Sequence, residues 1–181
     1  EGVALLREHG ARPAARVTLV PSQWHRVQEV FDHLLALGFS EVGIAPASPV
    51  TEGLLPTPAE EESLFEGFSV LARRFRDETR AGRVLPFGNL LDLLGRLHAG
   101  QVKAAPCGAG LGYLAVDAEG RFFLCHRLAG EDAFGAGDLK TGLDHGRIRA
   151  VLRAASEPRT PACRRCWARS LCAGGCHYEN H

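Results

Sequence analysis

Residues 16–45 of the chain read RVTLVPSQWHRVQEVFDHLLALGFSEVGIA, and this stretch contains three segments of different periodicity. Residues 16–20 are β-branched or apolar apart from Arg16, which predicts a strand that ends at Pro21. A helix is predicted next, from an N-cap at Ser22 to Gly38, because apolar residues recur at steps of three and four. Residues 41–45 form the second predicted strand. The short links around one helix indicate a βαβ unit, so we expect two parallel strands joined by a right-handed crossover.

Further helical patterns lie on both sides of this unit. One amphipathic segment opens the chain and ends at Gly10. After a proline-rich loop, the acidic residues at 60–62 suit the positive end of a helix, and another helix is predicted from Gly88 to His98. We therefore expect an α/β region at residues 1–58 and linking helices at residues 59–100.

The composition is that of a globular protein. The chain has 181 residues, of which 45% are hydrophobic, and its 21 basic side chains balance 21 acidic ones. This composition excludes a disordered chain, and no apolar run approaches the roughly 20 residues of a membrane span. Because the net charge is zero, we expect neither nucleic acid nor an anionic membrane as a partner. Since no basic and apolar signal region opens the sequence, we expect a cytoplasmic location. Since the sequence has no methionine and opens inside a helical pattern, we also expect a fragment of a longer protein that lacks earlier βα units.

Charge is nevertheless uneven along the chain. Seven arginines lie between Arg147 and Arg169, where the only acidic residue is Glu157. Two interpretations are open: a solvated helix face followed by a loop, or a local basic surface for an anionic cofactor, an acidic peptide or an electron-carrier protein. Trp167 lies in the same stretch and is predicted to be a packing residue.

Residues 101–181 differ in composition from the region before them. Glycine, cysteine and short strands replace the long apolar helices, so we place a module boundary near Gln101. Residues 113–124 predict a β-hairpin whose turn has Gly120 at a positive φ. A short amphipathic helix is marked by Ile148, Val151 and Leu152. The end of the chain, rich in cysteine and glycine, is predicted to lack regular elements.

The six cysteines fall into two groups. Twelve residues separate Cys107 from Gly120, and Cys125 follows after four more, so the hairpin brings these two thiols together. The second group has the spacing Cys163-x2-Cys166-x5-Cys172-x3-Cys176. A two-residue spacing lets two thiolates face one metal centre across a tight turn.

Three kinds of cysteine chemistry fit parts of this pattern. A disulfide framework needs an oxidising compartment and is usual in small domains without a core, whereas these cysteines follow a helix-rich region. Structural zinc suits the second group, but Cys107 and Cys125 then need His126 or His177 to complete a second site. Iron–sulfur clusters use thiolates in threes and fours, which suits six cysteines divided three and three.

The order and spacing of these cysteines resemble the SPASM domain of radical S-adenosylmethionine (SAM, AdoMet) enzymes that modify peptides. In that family a cysteine, a glycine and a second cysteine precede the same four-cysteine run and one last cysteine, and six of the seven cysteines are present here. The stretches around Cys107, Cys125 and Cys172 look most similar to maturases that form thioether crosslinks in peptides, including the maturase of quinohemoprotein amine dehydrogenase. The implied fold is α/β, with the C-terminal part of a partial (β/α)6 TIM barrel before a small cysteine-rich SPASM domain at residues 101–181.

The resemblance assigns the cysteines to two auxiliary [4Fe-4S] clusters. Cys107, Cys125 and Cys176 would hold the first cluster, nearer the substrate. Cys163, Cys166 and Cys172 would hold three irons of the second. Its fourth ligand, the seventh cysteine of the pattern, would lie beyond His181. Residues 101–106 lack the additional cysteine that completes the first cluster in sulfatase-maturing relatives, so the first cluster would keep an open iron.

An open iron implies thioether formation, because it can bind a substrate thiolate and accept an electron when the sulfur meets a carbon radical. His126 stands where sulfatase-maturing members have an aspartate base, which makes aldehyde formation less expected. Two interpretations of His126 are open: it donates a hydrogen bond to a cluster sulfur or a thiolate, or it is an ordinary surface histidine. The alternatives are another SPASM modification, such as carbon–carbon crosslinking or oxidation, and a zinc-stabilised module that binds a peptide without catalysis. No residue is assigned as catalytic.

The radical source implied by the resemblance is SAM bound to a third [4Fe-4S] cluster. The CxxxCxxC motif that holds this cluster is absent from the sequence, and we expect it before Glu1. Arg16 matches a strand-edge arginine that contacts the SAM carboxylate in similar enzymes, and the alternative is an ordinary surface arginine. The loop after Ala45, through Ser48, either lines the same pocket or is a structural turn. The partners implied are a precursor peptide or protein and a flavodoxin- or ferredoxin-type electron donor.

Overall fold

The computed structural model describes residues 2–47, 55–103, 105–156 and 161–179 of a mixed α/β chain. These residues form two units, which divide between Gln101 and Val102. Among the helices of the described residues, none is both long enough and apolar enough to cross a membrane.

The predicted βαβ unit is present in the first unit. Helix α1 (Gly2–Glu8) is followed by strand β1 (Ala14–Leu19), helix α2 (Val27–Ala36) and strand β2 (Glu41–Pro46). The two strands are parallel, as predicted. The N-cap prediction for Ser22 is wrong, because a 3-10 helix at Pro21–Arg26 leads directly into α2 and Ser22 lies inside it.

The core of the first unit lies between one face of this sheet and the helices. Ala15 and Leu19 of β1 and Val42 and Ile44 of β2 are buried with Phe31 of α2. The rings of Phe31 and Phe87 pack edge to face with their centroids 5.4 Å apart. The opposite face of the sheet carries the pairs Arg16 with Gly43 and Thr18 with Ala45.

Two helices complete the first unit. Helix α3 (Pro58–Arg80) begins with a capping box, in which Thr57 accepts from the Glu60 N–H and the Glu60 carboxylate accepts from the Thr57 N–H. Helix α4 (Gly88–His98) has the predicted bounds. The side chain of Asn89, near the start of α4, pairs with the backbone of β2 as a neighbouring strand would. It accepts from Ile44 N at 2.9 Å and donates to Ile44 O at 2.8 Å. Val42 also forms a bridge with Phe87 and its N–H donates to Pro86 O at 2.9 Å, so the outer edge of β2 is hydrogen-bonded by the segment that leads into α4.

The second unit is built on a four-stranded antiparallel sheet. Strands β3 (Ala115–Val116), β4 (Arg121–Phe123), β5 (Gly135–Asp138) and β6 (Gly142–Leu143) are adjacent in chain order. The predicted hairpin is β3–β4, and Gly120 in its turn has a φ of 78°. The sequence analysis missed β5 and β6 because glycine-rich segments have low strand propensity.

The remaining elements of the second unit are helical. Helix α5 (His145–Ser156) confirms the predicted amphipathic helix, and its Ile148 is buried with Leu124, Leu128 and Ala136. The end of the chain does contain regular elements, contrary to prediction: α6 (Pro161–Arg164) and α7 (Arg169–Cys172) are single helical turns. Single turns fit between the cysteines and glycines because each needs only four residues.

Candidate metal centre

Three of the cysteines interact electrostatically with one tyrosine of the second unit. The pKa of the Tyr113 hydroxyl is raised above its usual value, first by partial burial, then by the charge of Cys107 and a hydrogen bond with it, and further by the charges of Cys125 and Cys176. Because charge interactions weaken with distance, all three sulfurs lie in the neighbourhood of this hydroxyl. They are the three cysteines that the SPASM resemblance assigns to the first cluster, and their role as ligands stays a prediction.

The structure does not hold these thiols at metal-binding distance. Within the described residues, no group of three histidine, cysteine, aspartate or glutamate side chains is placed to hold a metal ion. All six cysteines are free thiols. The residues therefore fit an iron–sulfur cluster in the type of donor atom and not in distance. The groups near Tyr113 are sulfur atoms, and cysteine thiolates are the usual ligands of such clusters.

The loop that carries Cys107 is hydrogen-bonded to Leu124, which follows β4 and directly precedes Cys125. The N–H of Gly110 donates to Tyr113 O at 3.0 Å and to Leu124 O at 3.1 Å, and Gly112 N donates to Gly108 O at 2.7 Å. Gly110 has a φ of 72°, and a Cβ there would overlap the buried Leu124 side chain. Glycine at this position therefore permits the approach of the two cysteine-bearing segments.

Arg127 is a residue of this site that the sequence analysis missed. It follows Cys125 on a 3-10 helix at His126–Leu128. Its Nη1 lies 3.7 Å from Cys176 Sγ and 3.0 Å from Glu179 Oε1, and its guanidinium lies 4.2 Å from the centre of the Tyr178 ring. Arg127 thus joins the segment after β4 to the last cysteine of the chain. Sequence alone offers no signal for this role, since the contact depends on the fold.

The other three cysteines lie near the end of the chain, with Cys163 on α6, Cys172 on α7 and Cys166 between the two helices. Cys163, Cys166 and Cys172 are all exposed. The N–H of Cys166 donates to Cys163 O at 3.3 Å, so these two residues share one tight turn. Ala173, Gly174 and Gly175 all have positive φ, and this left-handed segment redirects the chain toward Cys176.

The same segment carries an exposed basic surface, the Arg–Trp surface, formed by Arg164, Arg165, Trp167 and Arg169. Trp167 is 88% exposed, so its prediction as a packing residue is wrong. Within the described part of the chain, none of these three arginines has an ion-pair partner.

The two remaining candidate residues, His126 and Arg16, are both exposed. His126 is exposed, and its side chain has no hydrogen bond with the described residues. Arg16 is exposed on the face of β1 opposite the core, and it lies across Gly43, where a Cβ would stand 3.0 Å from Arg16 Cδ. The roles of both residues stay predictions, and Ser48 lies outside the described residues.

Comparison with known proteins gives a structural match. No protein-family model matches the chain, and no curated protein matches it. The structure is similar to that of native anSMEcpe with bound AdoMet, with a TM-score of 0.67 at 11% sequence identity. The match covers 96% of this chain and 49% of that one, so the chain spans about half the length of the solved structure. At this identity the similarity shows a shared α/β fold.

Proposed function

We propose that the chain is part of a radical SAM enzyme with a SPASM domain, which forms sulfur-to-carbon thioether crosslinks in a ribosomally made precursor peptide or protein. The observation that carries this proposal is that the contacts of Gly110 with Leu124 and of Arg127 with Cys176 bring the segments of Cys107, Cys125 and Cys176 together. Two facts support the class of enzyme: the cysteine spacing resembles that of SPASM domains, and the fold is shared with an AdoMet-bound radical SAM enzyme of the sulfatase-maturating group.

The proposed ligands follow the division that the SPASM resemblance implies. Cys107, Cys125 and Cys176 would hold one auxiliary [4Fe-4S] cluster, and Cys163, Cys166 and Cys172 the other. Arg16 would contact the SAM carboxylate in the complete enzyme. When bound, SAM and the clusters would supply the radical that removes a hydrogen atom from the substrate carbon, and would take up the electron released as the sulfur–carbon bond forms.

The first set of sulfurs is that of Cys107, Cys125 and Cys176. Three features of the chain around it favour the thiolate form. The Tyr113 hydroxyl is hydrogen-bonded with Cys107, and as a phenol it can donate to a thiolate there at neutral pH. Arg127 places a positive charge 3.7 Å from Cys176 Sγ. Burial of Cys125 limits the access of water to its sulfur. Thiolate sulfur is stabilised by such donors and by exclusion of water.

Metal and sulfide analysis tests this proposal directly. After anaerobic reconstitution of the full chain with iron and sulfide, we expect about eight irons and eight sulfides per chain, the content of two four-iron clusters. Cys107→Ser should lose one cluster and Cys163→Ser the other. Stoichiometric zinc without sulfide would identify the zinc-stabilised binding module instead. Loss of both clusters from Cys107→Ser would contradict the proposed division of ligands.

A product assay with the complete enzyme then separates the possible reactions. A thioether product loses two hydrogen atoms and one alkylatable thiol for each crosslink. A carbon–carbon crosslink also loses two hydrogen atoms but leaves the thiols alkylatable. Mass spectrometry of the precursor before and after alkylation distinguishes the two results.

An acidic electron donor of the flavodoxin or ferredoxin type is the proposed partner of the Arg–Trp surface. Three arginines surround an exposed tryptophan there, and arginine and tryptophan are enriched at the centres of protein interfaces. Cys163, Cys166 and Cys172 lie in the same segment, so a donor bound there would be close to the second proposed cluster.

A further inference from the structure

A cavity of about 290 Å³ lies within the second unit, beside the first set of sulfurs. Pro106 and His177 both line it, and they are the chain neighbours of Cys107 and Cys176. Because consecutive Cα atoms are about 3.8 Å apart, a ligand in this cavity would reach the neighbourhood of both sulfurs. The volume is at the lower end of ligand pockets, which run from about 300 to 1,000 Å³, so it suits one or two side chains better than a large cofactor.

The lining of the cavity combines an apolar wall with two cationic groups. Leu111, Leu152 and Pro106 supply the apolar surface, and Leu111 is 64% exposed. Arg149 and Arg153 also line the cavity, and they lie four residues apart on α5, hence on one side of that helix. Within the described residues Arg149 forms no ion pair. The cavity thus offers aliphatic contact and positive charge side by side.

We infer that this cavity is a substrate-anchoring pocket, which binds an acidic residue of the peptide together with an adjacent aliphatic residue. The Arg149 guanidinium attracts a carboxylate, and the leucine and proline side chains cover the aliphatic group. The inference rests on the proposed function for the identity of the ligand as a substrate peptide. An anchor bound here would hold the next residues of the peptide beside Cys107 and Cys176, which gives the pocket a role in choosing the residue that reacts.

Arg147 provides a matched control on the same helix. It carries the same charge two residues before Arg149, but its Nη2 donates to Asp132 O at 2.7 Å and it does not line the cavity. Loss of a general electrostatic attraction should affect the two positions alike, whereas loss of a specific contact should affect Arg149 alone.

Fluorescence anisotropy with labelled peptides of equal length tests the inference on the full chain. The probes contain Leu-Glu, Leu-Gln or Ser-Glu at one central position. We expect the Leu-Glu peptide to bind about tenfold more tightly than either of the others. Arg149→Gln should abolish the difference between Leu-Glu and Leu-Gln, Arg147→Gln should preserve it, and Arg149→Glu should favour a Leu-Lys peptide. Equal binding of the three probes, or equal effects of Arg147→Gln and Arg149→Gln, would overturn the inference.

Iron and sulfide content, measured on the same samples, separates this inference from the function on which it rests. A chain with both clusters that binds all three peptides equally refutes the anchoring pocket and supports the proposed enzyme class. A chain that binds zinc without sulfide and still prefers the Leu-Glu peptide supports the pocket and refutes the radical chemistry.

Discussion

The guanidinium of Arg127 lies 3.7 Å from the sulfur of Cys176, although the two residues are 49 positions apart in the sequence. The same Nη1 donates to the Glu179 carboxylate at 3.0 Å, and the guanidinium stacks over Tyr178. One side chain therefore fixes both the last cysteine and the residues after it. Arg127 therefore links two distant segments of the chain next to the proposed ligands Cys125 and Cys176.

We expect Arg127→Gln to loosen residues 176–179. The ion pair is partly exposed, so we assign it about 1 kcal/mol, which corresponds to about fivefold faster opening. Hydrogen exchange of the backbone amides in this segment measures the change. Arg96→Gln, an exposed arginine on α4, is the control and should change nothing there. An unchanged exchange rate in Arg127→Gln would show that other contacts hold the segment.

The proximity of the three sulfurs to Tyr113 predicts a tyrosine titration at unusually high pH. Because the folded-state pKa of Tyr113 is raised, the unfolded chain loses this proton first as the pH increases. The resulting stability is complete below the ordinary tyrosine pKa of about 10 and is lost as the pH rises through the folded value. The tyrosinate absorbance of the metal-free chain, minus that of Tyr113→Phe, isolates this group.

Three variants test the source of this pKa shift. Cys107→Ser, Cys125→Ser and Cys176→Ser should each lower the titration midpoint of Tyr113, with the largest effect for Cys107 because it contributes both charge and a hydrogen bond. Cys163→Ser is the control and should leave the midpoint in place. Equal effects of all four replacements would mean that the three sulfurs do not converge on Tyr113.

Local periodicity was enough to predict much of the first unit. The parallel strands and the bounds of α4 follow from the spacing of apolar residues and from the glycines that end the helices. The role of Asn89 did not, because a side chain that completes a strand edge has no repeating pattern. Ser22 has the chemistry of an N-cap, but the preceding proline starts the 3-10 helix before it.

The candidate site shows the same division between local and long-range information. Cysteine spacing alone placed Cys176 with the second group, and only the SPASM resemblance assigned it to the set that lies near Tyr113. Arg127 could not be found in this way, since its contacts come from residues far along the chain. The cavity beside Arg149 likewise depends on the packing of α5 against the loop at residues 105–111.

Asn89 should contribute measurably to the stability of the first unit. Asn89→Ala leaves Ile44 N and Ile44 O without their side-chain partners, so we expect a loss of about 1–3 kcal/mol in the free energy of unfolding. Urea unfolding, followed by the fluorescence of the buried Trp24 in a Trp167→Phe background, reports on this unit. Asp92→Ala, on the exposed side of the same helix, should cost much less. Similar losses in both variants would reduce the role of Asn89 to helix propensity.

Replacing Gly110 by alanine should lower the free energy of unfolding more than the same replacement at another glycine with positive φ. Gly110→Ala introduces a left-handed alanine, and its Cβ also overlaps Leu124, so we expect a destabilisation of about 3 kcal/mol. Gly130→Ala has the same backbone strain but no atom within 4 Å of the added Cβ, so we expect about 1 kcal/mol. Urea unfolding measures both values. Equal losses would mean that the loop shifts to relieve the contact, and Cys107 would then not be held as described.

The Arg–Trp surface should bind an acidic electron donor in a salt-dependent way. Replacing Arg164, Arg165 and Arg169 by glutamate reverses the local charge, so we expect association with a flavodoxin to slow by about tenfold or more at low ionic strength. The difference should shrink at high salt, because the Debye length falls to about 3 Å at 1 M.

Trp167→Ala changes no charge, so it should speed dissociation of the donor and leave the salt dependence of association unaltered. Surface plasmon resonance separates the two rates, and Arg96→Glu is the control for charge alone. If Arg96→Glu slows association as much, per charge changed, as the triple variant does, the donor responds to overall charge and this surface is not its binding site.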